Sequence, residues 1–250
     1  MLAEVNQLAT RRQVRFSAKA AGELAMLDLG LDEEDALQVL ATLKLGDLVG
    51  RVESRHTPEW LYVFKPRVGG IALYVKLMVR TECVVISSTK TRKTMKTARK
   101  VKANRKKRLP DISTLPADAC PVCGTIMRER RARLDYPVNG EKMVVPDALH
   151  LRCPKDGEIV LRLDDARHLR ERALALYREK YGLLSSDEIR SIRERLHLTQ
   201  GALAKLLRLG GNTISRWEAG RNVQTAAMDM FLRVIRDLPG SVQYLREHAA

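Results

Sequence analysis

Three cysteines at metal-ligand spacing constrain this chain more than any other feature. Cys120 and Cys123 frame the segment Cys-Pro-Val-Cys-Gly, in which proline and glycine turn the backbone so that two thiolates reach one ion. A segment of the same shape, Cys-Pro-Lys-Asp-Gly-Glu, begins at Cys153 and carries Asp156 where a fourth cysteine would stand. The spacing predicts a small zinc-knuckle domain over residues 117–160.

The fourth ligand of this predicted site stays open. Structural zinc takes four ligands in a tetrahedron, mostly thiolate or imidazole. Asp156 occupies the fourth cysteine's place, and a carboxylate binds zinc more weakly than a thiolate. His150 is the rival ligand, and a third possibility is a knuckle that has lost its metal and persists as a packed turn. We expect a structural Zn²⁺ held by the three cysteines and a fourth group.

The basic charge of the chain is concentrated in one short segment. The 250 residues carry a formal net charge of +15. Residues 90–108 contain 11 Lys or Arg and no acidic residue, whereas residues 1–89 contain 11 basic and 11 acidic side chains. Such a run repels itself and cannot be buried, so residues 90–116 are predicted to form a solvated linker. The same segment could also contact nucleic-acid phosphates without reading sequence.

Bulk properties limit the class of protein. A chain of 250 residues accommodates two or three small domains. Its apolar stretches fall short of the roughly 20 residues that span a bilayer, and no secretory h-region opens the chain. Four cysteines, with Cys83 apart from the other three, do not resemble a disulfide framework. We therefore expect a cytoplasmic protein without a membrane partner.

Residues 1–89 predict a small α+β domain. Residues 16–27 have helical periodicity with Ser17 as a cap, and residues 31–40 form a second helix that begins with acidic residues. The hydrophobic period then changes to two, as in strands. The predicted strands cover residues 60–66, 71–79 and 83–87, with turns at Gly69-Gly70 and at 80–82. Two helices followed by an antiparallel meander place this domain in the α+β class.

The middle of the chain predicts a hairpin and a connector. Within residues 117–160, the segment 136–146 has the alternation of a β-hairpin that turns at Asn139-Gly140. Residues 161–183 are charged and helix-rich, and they form the connector helix. The fold class expected for the whole chain is therefore multidomain: an α+β N-terminal domain, a small zinc knuckle and an all-α C-terminal domain.

Residues 184–250 predict a set of short helices. Ser185 and Glu188 form a capping box, in which the hydroxyl and the carboxylate satisfy free amides reciprocally. Thr199 caps a second helix over residues 200–208, and a tight turn leads into a third helix. Two further helices are separated by Pro239-Gly240.

The third of these helices has the residues expected of a DNA-reading helix. In a helix-turn-helix, the second helix of the pair lies in the major groove with its first residues at the base edges. Asn212 and Arg216 share a face, and Asn suits adenine as Arg suits guanine. Trp217 is expected in the core; a helical hairpin with an exposed polar face is the alternative. Further candidate DNA contacts are Thr213, Gln200, Arg208 and Arg221.

The second half of the chain resembles a known family. Residues 184–236 resemble a Cro/repressor-type (XRE) helix-turn-helix. The order of Cys120-Pro-Val-Cys-Gly, Cys153-Pro-Lys-Asp-Gly-Glu, connector and helix-turn-helix resembles the MqsA antitoxins over residues 117–250. The resemblance implies that the zinc domain binds a toxin and that the helical domain dimerises on a promoter palindrome. It also implies that the family's base-reading Asn and Arg fall on Asn212 and Arg216.

The front of the chain, residues 13–89, resembles the MqsR toxins, which are small RelE-like mRNA interferases. The matching segments are Trp60-Leu-Tyr-Val-Phe-Lys-Pro-Arg, Ala72-Leu-Tyr-Val-Lys-Leu-Met-Val and Val84-Val-Ile-Ser. The resemblance implies RNA cleavage without a metal. In such a reaction a base takes the 2′-hydroxyl proton, cations hold the phosphate charge and an acid protonates the leaving oxygen.

The resemblance also assigns the catalytic positions, and at several of them this chain has a different residue from the family. The family's Tyr falls on Tyr74 and its first Lys on Arg51, which keeps the charge with a different geometry. Leu61 stands at the Gln position. The position of the family's last Lys is occupied by Thr89. Lys90 is the next residue, and on a strand its side chain would point to the opposite face of the sheet. The candidate catalytic residues are therefore Tyr74, Arg51 and Lys90, in a site that looks depleted.

The sequence therefore predicts a toxin-like domain fused to its antitoxin. A covalently attached partner docks back at high effective concentration. The leading hypothesis is a homodimeric, zinc-supported regulator that binds double-stranded DNA at its own promoter. Its ribonuclease-like domain is either silenced, by intramolecular contact with the antitoxin-like part, or vestigial. One alternative is a latent endoribonuclease released by cleavage of the basic linker. Another is an adaptor that binds RNA or a protein without cutting RNA.

Overall fold

A computed structural model describes residues 1–27, 30–90 and 110–248 of the chain, with the backbone alone at Lys90. Residues 91–109 of the predicted linker 90–116 lie outside these residues, so their solvation and their phosphate contacts stay predictions. Within the described parts, no helix combines the length and hydropathy needed to cross a membrane.

The described residues form two compact units. The first contains Met1–Tyr136 and Val144–Leu169, and the second contains Pro137–Met143 and Arg170–Ala250. This division differs from the predicted one, because the front segment and the knuckle segment lie in the same unit. The boundary falls inside a hairpin and inside a helix rather than at residues 117, 161 and 184.

The described residues of the front segment form three α-helices, a short 3-10 helix (Leu45–Asp47) and six strands. The helices are α1 (Leu2–Thr10), α2 (Ala18–Ala25) and α3 (Glu33–Ala41). The strands are β1 (Val14–Ser17), β2 (Leu48–Glu53), β3 (Trp60–Phe64), β4 (Arg67–Val68), β5 (Ile71–Val79) and β6 (Cys83–Lys90). The Ser17 hydroxyl accepts the Ala20 amide at 3.0 Å and caps α2 as predicted. The sequence prediction lacked α1, β1 and β2, and it placed Phe16 in a helix although Phe16 belongs to β1.

In the rest of the chain, the described residues form a hairpin, one further strand and six helices. The strands are β7 (Arg128–Val138), β8 (Glu141–Arg152) and β9 (Ile159–Arg162). The helices are α4 (Leu163–Tyr181), α5 (Ser186–Arg195), α6 (Gln200–Leu206), α7 (Thr213–Glu218), α8 (Ala226–Asp237) and α9 (Ser241–His248). The hairpin turns at Asn139 and Gly140, which adopt the left-handed conformation that this turn requires. The capping box of Ser185 and Glu188 is present at α5.

One sheet runs through the whole first unit. Among the described residues its strand order is β2-β3-β5-β6-β1-β9-β8-β7, with β4 paired to β5. Strand β1 pairs parallel with β6 and antiparallel with β9, where Phe16 lies opposite Leu161. All four residues of β1 are buried, so both of its edges need hydrogen-bonding partners. β1 therefore joins the front segment and the knuckle segment into one sheet.

Each unit has its own apolar core. In the first unit the buried side chains include Phe16, Leu24, Phe64, Leu77 and Leu161. In the second unit α5 to α8 enclose a cluster built from Leu184, Ile189, Ile192, Leu203, Ile214, Trp217, Leu232 and Ile235. Trp217 has 4 % of its surface exposed, so its predicted place in the core is confirmed.

Candidate metal centre and nucleic-acid interface

The two halves of the knuckle have the same backbone hydrogen bonds. In the first, the Cys120 amide donates to the Thr125 carbonyl at 2.8 Å and the Gly124 amide donates to the Cys120 carbonyl at 3.0 Å. In the second, the Cys153 amide donates to the Glu158 carbonyl at 2.9 Å and an amide four residues after Cys153 returns to the Cys153 carbonyl at 3.1 Å. The residue in the place of Cys123 is then Asp156, as the sequence spacing predicted.

The four candidate ligands come together in space. The ligand atoms of Cys120, Cys123, Cys153 and Asp156 all lie within 4.8 Å of one another. The Cys123 and Cys153 sulfurs are 3.5 Å apart, and a carboxylate oxygen of Asp156 lies 3.4 Å from the Cys120 sulfur. A tetrahedron with metal–sulfur bonds of about 2.3 Å has edges of about 3.8 Å. The cluster therefore has the dimensions of a tetrahedral metal site.

The electrostatics of the cluster favour a cation. Burial raises the pKa of the Cys120 thiol, so its thiolate form needs a positive charge nearby. Burial also raises the pKa of Asp156, but hydrogen bonds with the Cys123 and Cys153 thiols outweigh it and lower that pKa to about 2. A carboxylate that stays ionised among thiols is a donor set that suits a divalent metal.

His150, the rival fourth ligand, is engaged elsewhere. Its side chain is buried and its Nδ1 lies 2.9 Å from the Ala148 carbonyl oxygen. Its Nε2 is buried without a hydrogen-bond partner among the described residues. The cluster of four ligand atoms forms without His150, so the geometry favours Asp156.

In the second unit, α6 and α7 form the helix pair that was predicted to bind DNA. Asn212 is exposed at the start of α7, and its side chain makes no capping hydrogen bond. Arg216 is half-exposed one turn later, and its amide donates to the Asn212 carbonyl at 3.1 Å. Ile214 and Trp217 are buried on the other face of α7. The Asn212–Arg216 face is therefore directed away from the apolar core.

A buried carboxylate ties α5, α6 and α7 together. Glu218 at the end of α7 accepts hydrogen bonds from Arg193 at 2.6 and 3.0 Å and from the Gln200 amide at 2.9 Å. Burial raises the pKa of Glu218, but these hydrogen bonds outweigh it and the pKa is lowered. Gln200, which was predicted to lie near DNA phosphates, is half-exposed and bonds to Glu218 through its side-chain nitrogen, and its contact with DNA stays a prediction.

The remaining predicted DNA contacts are arranged around α7. Thr213 is the first residue of α7 and is half-exposed. Arg208 is exposed after α6 with a left-handed backbone, and its guanidinium donates to the His248 carbonyl at 3.0 Å. Arg221 is half-exposed in the loop after α7, and its carbonyl accepts a hydrogen bond from Arg170 at 3.0 Å.

Replacing Glu218 with alanine is expected to destabilise the second unit by about 2–4 kcal/mol, because the guanidinium of Arg193, whose side chain is 14 % exposed, would lose its buried counter-charge. Urea unfolding monitored by the fluorescence of Trp217, in a chain whose other tryptophan is replaced by Trp60→Phe, measures the change. Glu194 provides the control, since it also contacts Arg193 but is 60 % exposed, and its replacement should cost less than about 1 kcal/mol. Equal effects of the two substitutions would contradict the assigned role of Glu218.

Comparison with protein families agrees with these features. A family model described as the antitoxin component of bacterial toxin-antitoxin system, MqsA, matches residues 118–246, more than half of the chain. The chain belongs to the MqsA antitoxin family. A second model, described as motility quorum-sensing regulator, toxin of MqsA, matches residues 1–90. One polypeptide therefore joins an MqsR-like toxin segment to an MqsA antitoxin segment, as the resemblance implied.

A curated relative gives a further similarity to antitoxins. The chain is 33 % identical over 64 residues to Antitoxin HigA-2 of Vibrio cholerae serotype O1 (strain ATCC 39315 / El Tor Inaba N16961). The match covers 26 % of this chain and 62 % of the relative. The chain therefore spans less than two thirds of the length of that relative.

The MqsR-like segment does not bring its predicted catalytic residues together. Residues directly opposite in an antiparallel pair share a face of the sheet, and neighbours along a strand alternate. Arg51 lies opposite Tyr62, and Tyr62 lies opposite Leu77. Leu77 is three residues from Tyr74 along β5, so Arg51 and Tyr74 are on opposite faces. The side chain of Lys90 is outside the described residues.

The face that carries Tyr74 lacks the Gln and the Lys that the resemblance implies. By the same register Leu61 and Thr89 lie on this face, at the positions where the resemblance implies Gln and Lys. Burial raises the pKa of Tyr74, which makes its phenol a weaker acid. Lys76 shares the face, and burial together with Lys19 and Arg55 lowers its pKa. Among the described residues, the polar groups on this face include those of Tyr74, Lys76, Thr89 and Ser87, and the Ser87 hydroxyl donates to Glu23 at 2.8 Å.

Arg51 is held by residues that the sequence analysis did not single out. Its guanidinium donates to Asp111 at 2.6 Å and lies over the Trp60 ring at 4.2 Å from the ring centroid. The Tyr62 hydroxyl also contacts Asp111, at 3.0 Å from its carbonyl oxygen. Asp111 lies just after the basic stretch, and nothing in its sequence context indicates a partner 60 residues earlier.

Proposed function

We propose that the chain is a DNA-binding regulator of the toxin–antitoxin type that keeps its own MqsR-like segment silent. The toxin and antitoxin matches at residues 1–90 and 118–246 support the pairing of the two segments. The observation that carries the proposal is the shared sheet, in which β9 of the antitoxin segment pairs with β1 of the toxin-like segment. The functional modules proposed are residues 1–89, 117–160 and 184–250.

The DNA-binding part of the proposal rests on the outward face of α7. An amide and a guanidinium one helical turn apart can reach adenine and guanine edges from the start of a recognition helix. Asn212 is exposed and Arg216 half-exposed, while the opposite face of α7 is buried. Family membership and the similarity to a HigA antitoxin also favour DNA binding.

The silencing part rests on two features of the toxin-like segment. The face of Tyr74 lacks the polar groups that the resemblance implies, since Leu61 and Thr89 replace them. Arg51, the predicted phosphate-holding cation, is paired with the carboxylate of Asp111. An arginine neutralised by a carboxylate attracts an RNA phosphate less than a free one does.

The metal part rests on the matched knuckle turns. Cys120, Cys123, Cys153 and Asp156 would hold a structural Zn²⁺, which links the two turns and stabilises a segment with a small apolar core. Asp156 stands in the place of a cysteine with the same backbone hydrogen bonds. Zinc is the metal that three thiolates and one carboxylate in a tetrahedron fit best.

Dimerisation is proposed through the last helices. Met230, Val234 and Leu238 follow one another at four-residue spacing along α8 and its end, and their exposures are 61, 39 and 59 %. Such a stripe of exposed apolar side chains on a helix indicates a protein contact. A second copy of the chain is the occupant proposed, because a two-fold dimer matches a palindromic DNA site.

Introducing a charge into this stripe is expected to separate the dimer. The Met230→Glu substitution places a carboxylate in an apolar contact and should weaken self-association by at least about tenfold, since desolvating one unpaired charge costs several kcal/mol. Light scattering after size exclusion over a concentration series measures this. Ser191→Glu, on the exposed surface of α5, adds the same charge as a control. A dimer that survives Met230→Glu would exclude α8 as the contact.

The proposed function is tested on the full chain in two assays. A mobility-shift assay with the DNA upstream of its gene should show binding to a palindrome. Incubation of the same preparation with RNA should give no cleavage products. RNA cleavage that Tyr74→Phe removes would favour the latent nuclease, and RNA binding without cleavage would favour the adaptor. The absence of DNA binding would remove the regulator proposal.

A further inference from the structure

A fully buried ion pair lies where the toxin-like segment meets the knuckle segment. The side chains of Arg80 and Glu59 are 0 and 1 % exposed. The guanidinium donates two hydrogen bonds to the carboxylate, from Nε at 2.7 Å and from Nη2 at 2.8 Å. Both residues belong to the toxin-like segment: Glu59 precedes β3, and Arg80 lies in the turn between β5 and β6.

The same guanidinium reaches across to the backbone of the knuckle. Nη1 donates to the carbonyl oxygens of Pro116, at 3.4 Å, and of Ala119. Nη2 lies 3.5 Å from the carbonyl oxygen of Cys120. That carbonyl also accepts the Gly124 amide within the knuckle turn. Arg80 therefore contacts the backbone of a candidate metal ligand directly.

Neighbouring residues pack around this contact. Thr57, next to Glu59, is buried, and its methyl carbon lies 3.7 Å from where a Cβ on Gly124 would stand. The Ser113 amide donates to the Val79 carbonyl at 2.9 Å. Burial raises the pKa of Glu59, but the hydrogen bonds and charge of Arg80 outweigh it and lower that pKa. Glu59 thus stays ionised and paired with Arg80 inside the unit.

We propose that Arg80 is a positioning residue for the metal centre, through which the toxin-like segment holds Cys120 in the geometry that binds the metal. One edge of the planar guanidinium bonds to Glu59, and the other edge contacts the carbonyl oxygens of Ala119 and Cys120. Because the group is rigid, the bonds to Glu59 fix its orientation, and this orientation fixes the position of the two carbonyls. Groups that orient a ligand in this way affect metal affinity without touching the metal.

The coupling acts in both directions. If docking of the knuckle on Arg80 strengthens metal binding by a given factor, metal binding strengthens docking by the same factor. Loss of the metal then loosens the contact by which the antitoxin segment is held on the toxin-like segment. The inference rests on the metal centre of the proposed function and is independent of DNA binding.

The test measures zinc affinity of the full chain by competition with a chromogenic chelator. Arg80→Lys keeps a charge opposite Glu59, but an ammonium cannot serve the carboxylate and the carbonyls with one rigid fork. We expect the zinc dissociation constant to rise by about 10- to 100-fold, the range found when an orienting partner of a ligand is removed. The Co²⁺-loaded protein should show an altered ligand-field spectrum.

Arg15→Met is the control for the loss of a buried ion pair elsewhere in the first unit. Arg15 is also a buried arginine in an ion pair of the first unit, with Glu82, but it makes no hydrogen bond to residues 116–124 within the described parts of the chain. We expect it to lower thermal stability and to leave zinc affinity unchanged. An unchanged affinity in Arg80→Lys, or an equal loss in Arg15→Met, overturns the proposal.

A second measurement needs no substitution. Chelating the metal from the wild-type chain should speed amide hydrogen exchange at residues 79–82 and 54–59 as well as in the knuckle itself. Exchange that rises in the knuckle alone also overturns the proposal. A wild-type chain that retains no zinc at all would overturn the proposed metal centre together with this inference, and that result is distinguishable by metal content alone.

Discussion

Replacing Asn212 and Arg216 with alanine is expected to abolish sequence-specific DNA binding while the second unit stays folded. Each well-formed contact between such a side chain and a base edge contributes about 1–3 kcal/mol of discrimination. Losing both should weaken binding to the palindrome by about 30-fold or more. Folding should be unaffected, because Asn212 is exposed and makes no capping hydrogen bond. Fluorescence anisotropy with labelled duplex measures the loss.

An unrelated duplex of the same length separates base reading from charge attraction. Contacts to phosphates do not depend on sequence, so binding to this duplex should change only a few-fold in the double variant. Arg172→Ala, on the exposed surface of α4, removes one positive charge as a control. If the double variant keeps its preference for the palindrome, α7 does not read the bases. An equal loss for both duplexes would assign Asn212 and Arg216 to the phosphate backbone.

The helices of the second unit could be predicted from sequence because their signals are local. The capping box of Ser185 and Glu188 and the cap at Thr199 depend on residues three positions apart, and the structure has both. The network around Glu218 could not be predicted, since it joins residues 18 and 25 positions away. The bond between Gln200 and Glu218 could not be anticipated, because a polar residue at a helix start has no sequence feature that indicates an internal partner.

The architecture of the first unit depends on contacts between distant residues, and sequence reasoning missed these. Strand β1 has four residues with no alternation, so Phe16 was assigned to the helix that follows. Its pairing with β9 joins residues more than 140 positions apart. Arg80 was placed in a turn, which is correct, but a charged turn residue gives no indication of full burial. The knuckle turns were predictable because the short sequence spacing between the ligand residues determines how the turn brings them together.

Removing one cysteine of the knuckle is expected to have the largest effect on metal content and on the stability of the first unit. Cys153→Ser leaves two thiolates and a carboxylate, a set that a structural zinc site does not use. Since the affinity of such a site contributes directly to folding, the variant should retain no zinc after dialysis and should unfold at a clearly lower temperature. Atomic absorption and calorimetry measure the two quantities. Cys83→Ser, outside the cluster, should retain its zinc.

Variants of Asp156 test whether this residue is the fourth metal ligand. Asp156→Ala removes the fourth donor but no thiolate, so zinc should still bind and should be lost to a chelator more easily than from the wild type. Asp156→Cys completes a set of four thiolates on backbone turns that have matching hydrogen bonds, and it should hold zinc more tightly. The Co²⁺ form of Asp156→Cys should gain thiolate charge-transfer intensity. Equal retention in all three proteins would mean that Asp156 is not a ligand and that the fourth position belongs to water or another side chain.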